Sequence, residues 1–444
     1  MLLLHASRGD PVAWRPGVNS LSTNSPPVRR ADQRAVRKSN LSLVARRIAE
    51  AGPLSRAQLA KSTGLNKTTV SSLVSELMER GIVTESGLAD GRGVGRPAQI
   101  LELDASRIAA LGLEINVDYL AVCVCDLRGQ VRYRAAVGHD NRVSPPDVVF
   151  AALAKLAGAA LAECGELGLT PIGAGVSLPG TVEAETGTLL HAPNLGWDEL
   201  PVEARLRAAL GDPAFPIRVG NDANLAALGE LESGALRGIR HALLIYGNVG
   251  IGGALIVDGA IFPGSDGFAG EIGHMPVLPF DGEECRCGGR GCLETVAGQE
   301  AIARRVGIQG TRSESSSPAL LVAERAAAGD AEVLRALDEV AEFLGVCIAG
   351  AVSIVNPRRV VLAGTLGVLA PWLLTGARSA LEQRTTVAPT VVEIVGSELG
   401  DEAAIRGGAA LVLQNVLSDP TRAPARPALR RRPGSRRGLV VAPG

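Results

Sequence analysis

Three cysteines lie within a short segment in the pattern Cys285-x-Cys287-x4-Cys292, and His274 lies a few residues upstream. Closely spaced thiolates and an imidazole are ligands that tetrahedral zinc prefers. The spacing therefore predicts a structural zinc site at His274, Cys285, Cys287 and Cys292, which would staple the intervening chain into one loop. A disulfide pair with a spare cysteine, or buried cysteines without a metal, are the alternatives.

Two carboxylates accompany the candidate metal ligands. Glu271 lies just before His274 and Glu294 just after Cys292, so a zinc loop over residues 271–294 would hold both carboxylates close to the metal. This arrangement indicates a small-molecule site braced by zinc. The remaining cysteines lie in apolar runs and are expected in the core: Cys123, Cys125, Cys164 and Cys347.

The chain as a whole is typical of a cytoplasmic protein with more than one domain. Its 444 residues exceed one ordinary domain. The formal net charge of −1 creates no general demand for a nucleic-acid or membrane partner. The first residues lack the apolar run of a secretory signal, and no apolar run is expected to reach the length needed to span a bilayer. We therefore expect a reducing cytoplasm and no membrane association.

Composition divides the chain into four segments. Residues 1–38 and 417–444 are rich in Arg and Pro without hydrophobic periodicity, and both are expected to lack fixed structure. The basic tail could add non-specific phosphate affinity or be solvated without a specific role. Between these ends we expect a DNA-binding domain over residues 39–103 and a ligand-binding body over residues 104–416, without an internal repeat.

A helix-turn-helix pattern follows Asn40. Ser55 and Gln58 form a capping box that opens a second helix, Gly64 permits a sharp turn, and Asn66 can cap a third helix. The apolar face of that third helix comprises Val70, Leu73, Val74 and Leu77. The pattern is similar to DNA-binding helix-turn-helix pairs, in which the second helix enters the major groove. A three-helix bundle with the same core is the alternative.

The polar surface of this domain is expected to contact DNA. The candidate residues on the helices are Ser55, Arg56, Lys67, Thr68, Thr69, Ser71 and Ser72. Two strands, over residues 82–83 and 99–103, then flank a Gly/Arg-rich segment with Arg92 and Arg96, which predicts a winged helix-turn-helix. Arginines among glycines suit a narrow, A·T-rich minor groove, and a wing that contacts only phosphates is the alternative.

Beyond Asp104 strands and helices alternate, which predicts an α/β fold. Asn221 and Asp222 lie where a strand ends and a helix begins, a position at which α/β proteins present ligand-binding groups. The zinc pattern, the Asn-Asp-Ala-Asn segment at 221–224 and the helix-turn-helix together resemble transcriptional regulators of the ROK family (repressors, open reading frames and kinases). The resemblance extends over about residues 38–416. It implies a two-lobed, actin-like sugar-kinase body of the ribonuclease H-like ATPase type, with sugar bound between the lobes.

The resemblance also implies which residues form the site. It assigns sugar contacts to Asn194, Asn221, Asp222, Glu271, His274 and Glu294, and zinc ligation to His274, Cys285, Cys287 and Cys292. Amides and carboxylates supply the fixed donors and acceptors that a polyol needs. One imidazole nitrogen would bind the metal and the other would face a hydroxyl group.

Kinases of this family carry an Asp-x-Gly-Gly-Thr phosphate loop, and this chain has Glu114-Ile115-Asn116-Val117-Asp118 in its place. Side chains replace the glycines that let backbone amides approach ATP, and Asp118 would repel a polyanion. Asp222, which matches the family's general base, is retained as a vestigial base candidate, and sugar binding explains its retention as readily as catalysis does. We therefore expect no enzymatic activity.

The sequence thus predicts a sugar-responsive transcriptional regulator, more specifically a repressor of carbohydrate metabolism genes. Its expected partners are a sugar or sugar-phosphate effector and a palindromic operator with an A·T-rich flank. One helix-turn-helix reads only half of a palindrome, so we expect a homodimer or homotetramer. The alternatives are an active ATP-dependent sugar kinase with a DNA-binding appendage, and a scaffold regulated by a protein partner.

Overall fold

The N-terminal domain combines three helices with a three-stranded sheet. The structure is a computed structural model that describes residues 32–88, 99–183, 185–308, 318–385 and 392–423. The elements of the domain are α1 (Gln33–Ala51), β1 (Leu54–Ser55), α2 (Arg56–Thr63), α3 (Lys67–Glu79), β2 (Val83–Leu88) and β3 (Gln99–Leu103). Strand β3 lies between β1 and β2 and is antiparallel to both. The domain is a winged helix-turn-helix, as predicted.

Local capping sets the helix boundaries in this domain. Ser55 and Gln58 form the predicted capping box at the start of α2, and the Asn66 side chain accepts a hydrogen bond from the backbone N–H of Thr69 at 2.8 Å. Helix α1, however, begins at Gln33 after an Asp32 cap. The prediction that residues up to 38 lack fixed structure is therefore wrong for this segment, whereas residues 1–31 lie outside the described part of the chain.

The first lobe of the body is built on a five-stranded sheet. Its elements are β4 (Ile108–Ile115), β5 (Tyr119–Asp126), β6 (Val131–Gly138), α4 (Pro146–Glu166), β7 (Thr170–Leu178), β8 (Thr181–Glu183), β9 (Thr188–Ala192), β10 (Trp197–Pro201), α5 (Val202–Ala209) and β11 (Ile217–Asn221). The sheet order is β11-β7-β4-β5-β6, with β4–β5 and β5–β6 antiparallel and the other pairs parallel. Strands β8, β9 and β10 form a separate small sheet.

The second lobe repeats this topology. Its strands are β12 (Ala242–Gly247), β13 (Ile251–Val257), β14 (Ala260–Ile261), β15 (Arg359–Gly364) and β16 (Glu393–Gly396), in the order β14-β13-β12-β15-β16. Its helices are α6 (Asp222–Ser233), α7 (Leu293–Ala297), α8 (Gln299–Arg305), α9 (Pro318–Ala327), α10 (Ala331–Val355), α11 (Thr365–Val368) and α12 (Ala370–Arg384). Short 3-10 helices span Ile272–His274, Gly400–Glu402 and Pro420–Arg422. The two lobes share the same strand order, although the sequence shows no internal repeat.

The last α-helix of the described residues, α13 (Ala403–Ser418), returns to the first lobe and packs on α6 and on strands β4, β5 and β7. Two glycines permit this close approach: a methyl group on Gly112 would lie 1.9 Å from the Ile405 carbonyl oxygen, and one on Gly175 would lie 1.9 Å from that of Gly408. Helix α6 in turn packs on the sheet of the second lobe. The pair α6 and α13 therefore joins the two lobes.

The DNA-binding domain shares its hydrophobic core with the body. Leu41, Val44 and Ile48 of α1 belong to the same buried cluster as Val412 and Leu413 of α13. The cluster continues into strands β4 and β5 of the first lobe. Burial of contiguous apolar surface favours one relative arrangement of the two domains.

One helix departs from the expectation about membranes. Among the described residues, α4 is long and apolar enough, by length and composition, to cross a membrane. The prediction that no apolar run reaches this length is therefore wrong. Val149, Phe150, Leu153 and Ala157 of α4 are buried in the core of the first lobe, which is the packing of a core helix.

Candidate ligand cleft and metal centre

The predicted metal ligands converge. One ligand atom from each of His274, Cys285, Cys287 and Cys292 lies within 4.8 Å of all the others. The Sγ atoms of Cys287 and Cys292 are 3.8 Å apart, and Nδ1 of His274 is 3.8 Å from Sγ of Cys285. Ligands at zinc–sulfur distances of about 2.3 Å lie about 3.8 Å apart in a tetrahedron. The donor set and its spacing therefore fit a tetrahedral metal ion such as zinc.

Backbone contacts hold the segments of this cluster together. Cys292 caps α7, and isolated bridges pair Pro276 with Cys292 and Glu284 with Arg290. Burial, together with the neighbouring thiols, raises the pKa of Cys292 to about 12. Since metal binding requires thiolates, a cation would have to offset this cost, and affinity should fall in acid.

The second nitrogen of His274 faces the neighbouring cleft. Its Nε2 lies 3.8 Å from Oε2 of Glu271, and both residues line a cleft of about 290 Å³ between the lobes. An imidazole held at Nδ1 by a metal would present Nε2 to a ligand in this cleft.

All six predicted sugar-contact residues line this same cleft: Asn194, Asn221, Asp222, Glu271, His274 and Glu294. Glu294 is held by the backbone N–H of Ile251, which donates to its Oε2 at 2.9 Å. A methyl group on Gly250 would lie 2.1 Å from this oxygen and 3.0 Å from Nδ2 of Asn194. The amide of Asn194 and the carboxylate of Glu294 thus border the same space, which is open because Gly250 has no side chain.

Asn221 differs from Asn194 because both the nitrogen and the oxygen of its amide are engaged by neighbouring residues. Its Nδ2 donates to the Gly180 carbonyl oxygen at 3.0 Å and to Oδ1 of Asp222 at 3.1 Å, while its Oδ1 accepts the N–H of Asn224 at 3.1 Å. Asn221 therefore caps α6 and fixes Asp222. Burial raises the pKa of Asp222 to about 6, although the hydrogen bond from the backbone N–H of Ala223 acts to lower this pKa.

Two basic residues that line the cleft were not predicted from the sequence. Arg286 and His191 both line it. The position of Arg286 between two candidate metal ligands was a signal that could have identified it, because metal ligation on both sides fixes its backbone beside the cleft. His191 lies on β9, where no motif marked it.

Another, much smaller cavity lies near the turn between β4 and β5. It measures about 20 Å³ and is lined by residues that include Asn116, Asp118 and Thr365, so it has room for about one water molecule. Asn116 is buried, and its carbonyl oxygen accepts a hydrogen bond from Nδ2 of Asn141 at 2.6 Å. Nearby, Glu114 is fully buried and accepts from the Tyr119 hydroxyl at 2.6 Å. Burial raises the pKa of Glu114 to about 7.

The predicted DNA-contact residues differ in exposure. On α3, Lys67, Thr68, Ser71 and Ser72 are exposed and Thr69 is half-buried. Ser55, by contrast, is buried with its hydroxyl in the α2 cap, which leaves its side chain unsuited to contact DNA. Arg56 pairs with Glu85 of β2 at 2.6 Å. The wing residues Arg92 and Arg96 lie outside the described residues.

Comparison with known proteins supports the assignment of both the N-terminal domain and the body. The ROK family profile matches residues 110–415, and the MarR family profile matches residues 42–93. The chain is 28% identical over 401 residues to a xylose repressor of Caldicellulosiruptor bescii, covering 87% of this chain and 98% of that protein. It is 36% identical over 260 residues to a glucokinase of Halalkalibacterium halodurans, covering 55% of this chain and 76% of the kinase. The crystal structure of a ROK family transcriptional regulator, described as a homolog of the E. coli MLC protein, superimposes with a TM-score of 0.70 at 25% identity, covering 87% of this chain and 98% of that one.

A winged helix-turn-helix joined to a two-lobed body defines a DNA-binding transcriptional regulator. The chain belongs to the ROK family, as a regulator with a MarR-like N-terminal domain. The predicted fold class and family are therefore confirmed. The repressor match extends over both domains, whereas the kinase match covers 55% of this chain.

Proposed function

We propose that this protein is a cytoplasmic, sugar-responsive repressor of carbohydrate metabolism genes, in which binding of a sugar or sugar phosphate between the lobes changes operator affinity. The observation that carries the proposal is the convergence of amide, imidazole and carboxylate groups in one cleft of a molecule whose DNA-binding domain shares a core with the same body. Neither feature alone links a ligand to DNA.

The polar groups of the cleft match the chemistry of a polyol. Asp222, Glu271 and Glu294 offer carboxylate oxygens to hydroxyl groups, and Asn194 offers an amide. We assign Asn221 mainly a positioning role, because its amide already fixes Asp222. His274 contributes Nε2 to the sugar while Nδ1 ligates a structural zinc ion with Cys285, Cys287 and Cys292.

Coupling to DNA would follow from the helices that join the domains. A sugar that binds two lobe arrangements unequally shifts their populations. The α6–α13 pair connects the lobes, and α13 shares the cluster of α1, so a lobe movement would reach the DNA-binding domain. Couplings of about 1–3 kcal/mol correspond to roughly 5- to 150-fold changes in affinity.

We propose that a homodimer or homotetramer presents two helix-turn-helix units to a palindromic operator. The exposed polar residues of α3 would contact base edges, and Arg92 and Arg96 of the wing would enter an A·T-rich minor groove at the flank. Arg56 would contribute only after release from Glu85, with which it is paired.

Loss of kinase activity is supported by the region around Asn116. The small cavity here is lined by acidic Asp118 and Asp401, whose negative charge disfavours the binding of nucleotide phosphates. We infer that the nucleotide loop is degenerate and that Asp222 serves sugar binding.

The first test is fluorescence anisotropy of the purified protein on labelled DNA from its own upstream region. The DNA complex is titrated at fixed salt with sugars and sugar phosphates. Release by one compound is the expected result. Binding that no compound alters would contradict the proposal and favour a scaffold regulated by a protein partner, provided that no sugar stabilises the fold either. A true effector at 100-fold over its Kd should add about 2.7 kcal/mol of stability.

An active sugar kinase is the second candidate, favoured by the buried Asp222 with its pKa of about 6 and by the similarity to a glucokinase. An ADP-release assay across hexoses and amino sugars tests it. Turnover above background that disappears in Asp222→Asn would establish catalysis. We expect equal background release from both proteins.

A further inference from the structure

Arg286 connects the metal loop to the opposite lobe. It lies between the candidate metal ligands Cys285 and Cys287, and it lines the cleft. Its Nη1 donates to Oδ1 of Asn194 at 2.8 Å, and its Nη2 donates to Oε2 of Glu300 at 3.0 Å. Asn194 follows β9 of the first lobe, whereas Arg286 and Glu300 belong to the second.

The hydrogen bond from Arg286 determines which end of the Asn194 amide faces the ligand. A guanidinium can only donate, so it selects the carbonyl oxygen of the amide. The amino group is then left on the side of Gly250, where a methyl group would lie 3.0 Å from Nδ2. Glu294 borders the same space, with Oε2 only 2.1 Å from that methyl position. A donor and an acceptor therefore flank one small volume.

We propose that Arg286 is a specificity-determining positioning residue, which fixes Asn194 as a hydrogen-bond donor so that Asn194 and Glu294 together recognise one free hydroxyl group of the effector. The inference rests on the proposed function of the cleft. A hydroxyl both accepts from the amide and donates to the carboxylate. A deoxy position does neither, and an O-methyl group cannot donate, so each leaves a polar group unpaired.

A purely structural role of Arg286 would have different consequences from a role in orienting Asn194. Glu300 forms an ion pair with Arg142 of the first lobe at 3.5 Å as well as with Arg286. If Arg286 served only to hold the lobes together through this pair, removal of the Glu300 charge would have the same consequences as removal of Arg286. If Arg286 instead orients Asn194, Glu300→Gln should have only a small effect on effector discrimination.

The experiment measures effector discrimination in the full-length protein. The probes are D-glucose, D-xylose and D-glucose 6-phosphate, each with its monodeoxy analogues, and the readout is the ratio of Kd values for analogue and parent by calorimetry. We expect the wild-type protein to disfavour one analogue by at least about tenfold, which corresponds to one hydrogen-bonded group. Arg286→Ala should bring this ratio close to one, with metal content unchanged by elemental analysis, and Arg286→Lys should restore part of it.

Asn194→Asp keeps an acceptor for Arg286 but removes the donor, so it should lose the same discrimination. Adding Arg286→Ala to it should cause no further loss. Normal discrimination in a metal-loaded Arg286→Ala variant would overturn the inference while leaving the proposed function intact, as would an equal loss in Glu300→Gln. Failure of every probe to bind the wild-type protein would overturn the proposed function and this inference together.

Discussion

Nζ of Lys38, on the first helix of the DNA-binding domain, lies 2.7 Å from Oδ2 of Asp419, immediately after the helix that joins the two lobes. The bridge lies beside the apolar cluster shared by α1 and α13. Burial acts to raise the pKa of Asp419, but hydrogen bonds from Lys38 and Thr421 outweigh it and hold the pKa at about 2. The carboxylate is therefore charged at every pH at which the protein would function.

Asp419→Asn should weaken the link between the domains without unfolding either one. The lysine is half-exposed, so we expect a loss of at most about 1 kcal/mol. The measurement is the effector-induced change in operator Kd, which should decrease by about two- to fivefold. Glu50→Gln, which neutralises a pair lying wholly within α1, is the matched control and should leave the response unchanged. An unaltered response in Asp419→Asn would indicate that apolar packing alone carries the coupling.

Cys287→Ser should abolish metal binding and effector response together, because His274 is both a candidate ligand and a cleft residue. The measurements are elemental analysis of the purified protein and anisotropy with effector. Cys164→Ala, at a buried cysteine of α4 in the other lobe, controls for loss of a thiol. Full metal content in the Cys287 variant would show that the ligand set is wrong.

Glu114 should make the protein less stable as the pH rises towards neutrality. Burial raises the pKa of Glu114 from 4.5 to about 7 in the folded protein. Between these values the unfolded chain loses the proton and the folded protein keeps it, so the free energy of unfolding falls as pH rises. The full effect, above about pH 7, is about 3 kcal/mol.

Glu114→Gln removes this titration and keeps an acceptor for the Tyr119 hydroxyl. Denaturant unfolding should show the variant gaining stability relative to wild type between pH 5 and pH 8. Glu342→Gln, at an exposed carboxylate, should follow the wild-type profile. A constant difference between Glu114→Gln and wild type across this range would contradict the assignment.

The sequence was sufficient to predict those parts of the molecule that depend on local chemistry. The capping box at Ser55 is fixed by hydrogen bonds within one helical turn, and the metal cluster uses ligands from one short segment. Asn221 and Asp222 could be placed because a strand end and a helix start were both readable from the pattern.

Properties that depend on distant contacts were not predicted. The engagement of the Asn221 amide requires Gly180, in the turn between β7 and β8. The contact between Arg286 and Asn194 joins residues 92 positions apart. The shared core of α1 and α13 unites the two ends of the described chain, and no periodicity in either helix identifies its partner. The sequence thus predicted which residues form the site, but their division into contacting and positioning roles needed the structure.

Gly250→Ala should separate effector binding from every other property of the protein. Gly250 has no left-handed backbone conformation that alanine would strain, so the added methyl group acts only through space. It would lie 2.1 Å from Oε2 of Glu294 and 3.0 Å from Nδ2 of Asn194, which forces the carboxylate away from the position where a hydroxyl would bind.

We expect effector affinity to fall by at least about tenfold, since one hydrogen-bonded group is lost. Metal content and operator affinity without effector should remain at wild-type values, and release from the operator should require at least about tenfold more sugar. Gly238→Ala, at a loop glycine with open space around it but a positive φ of 76°, controls for general loss of stability. Retention of the wild-type effector Kd in Gly250→Ala would show that the effector does not occupy the space between Asn194 and Glu294.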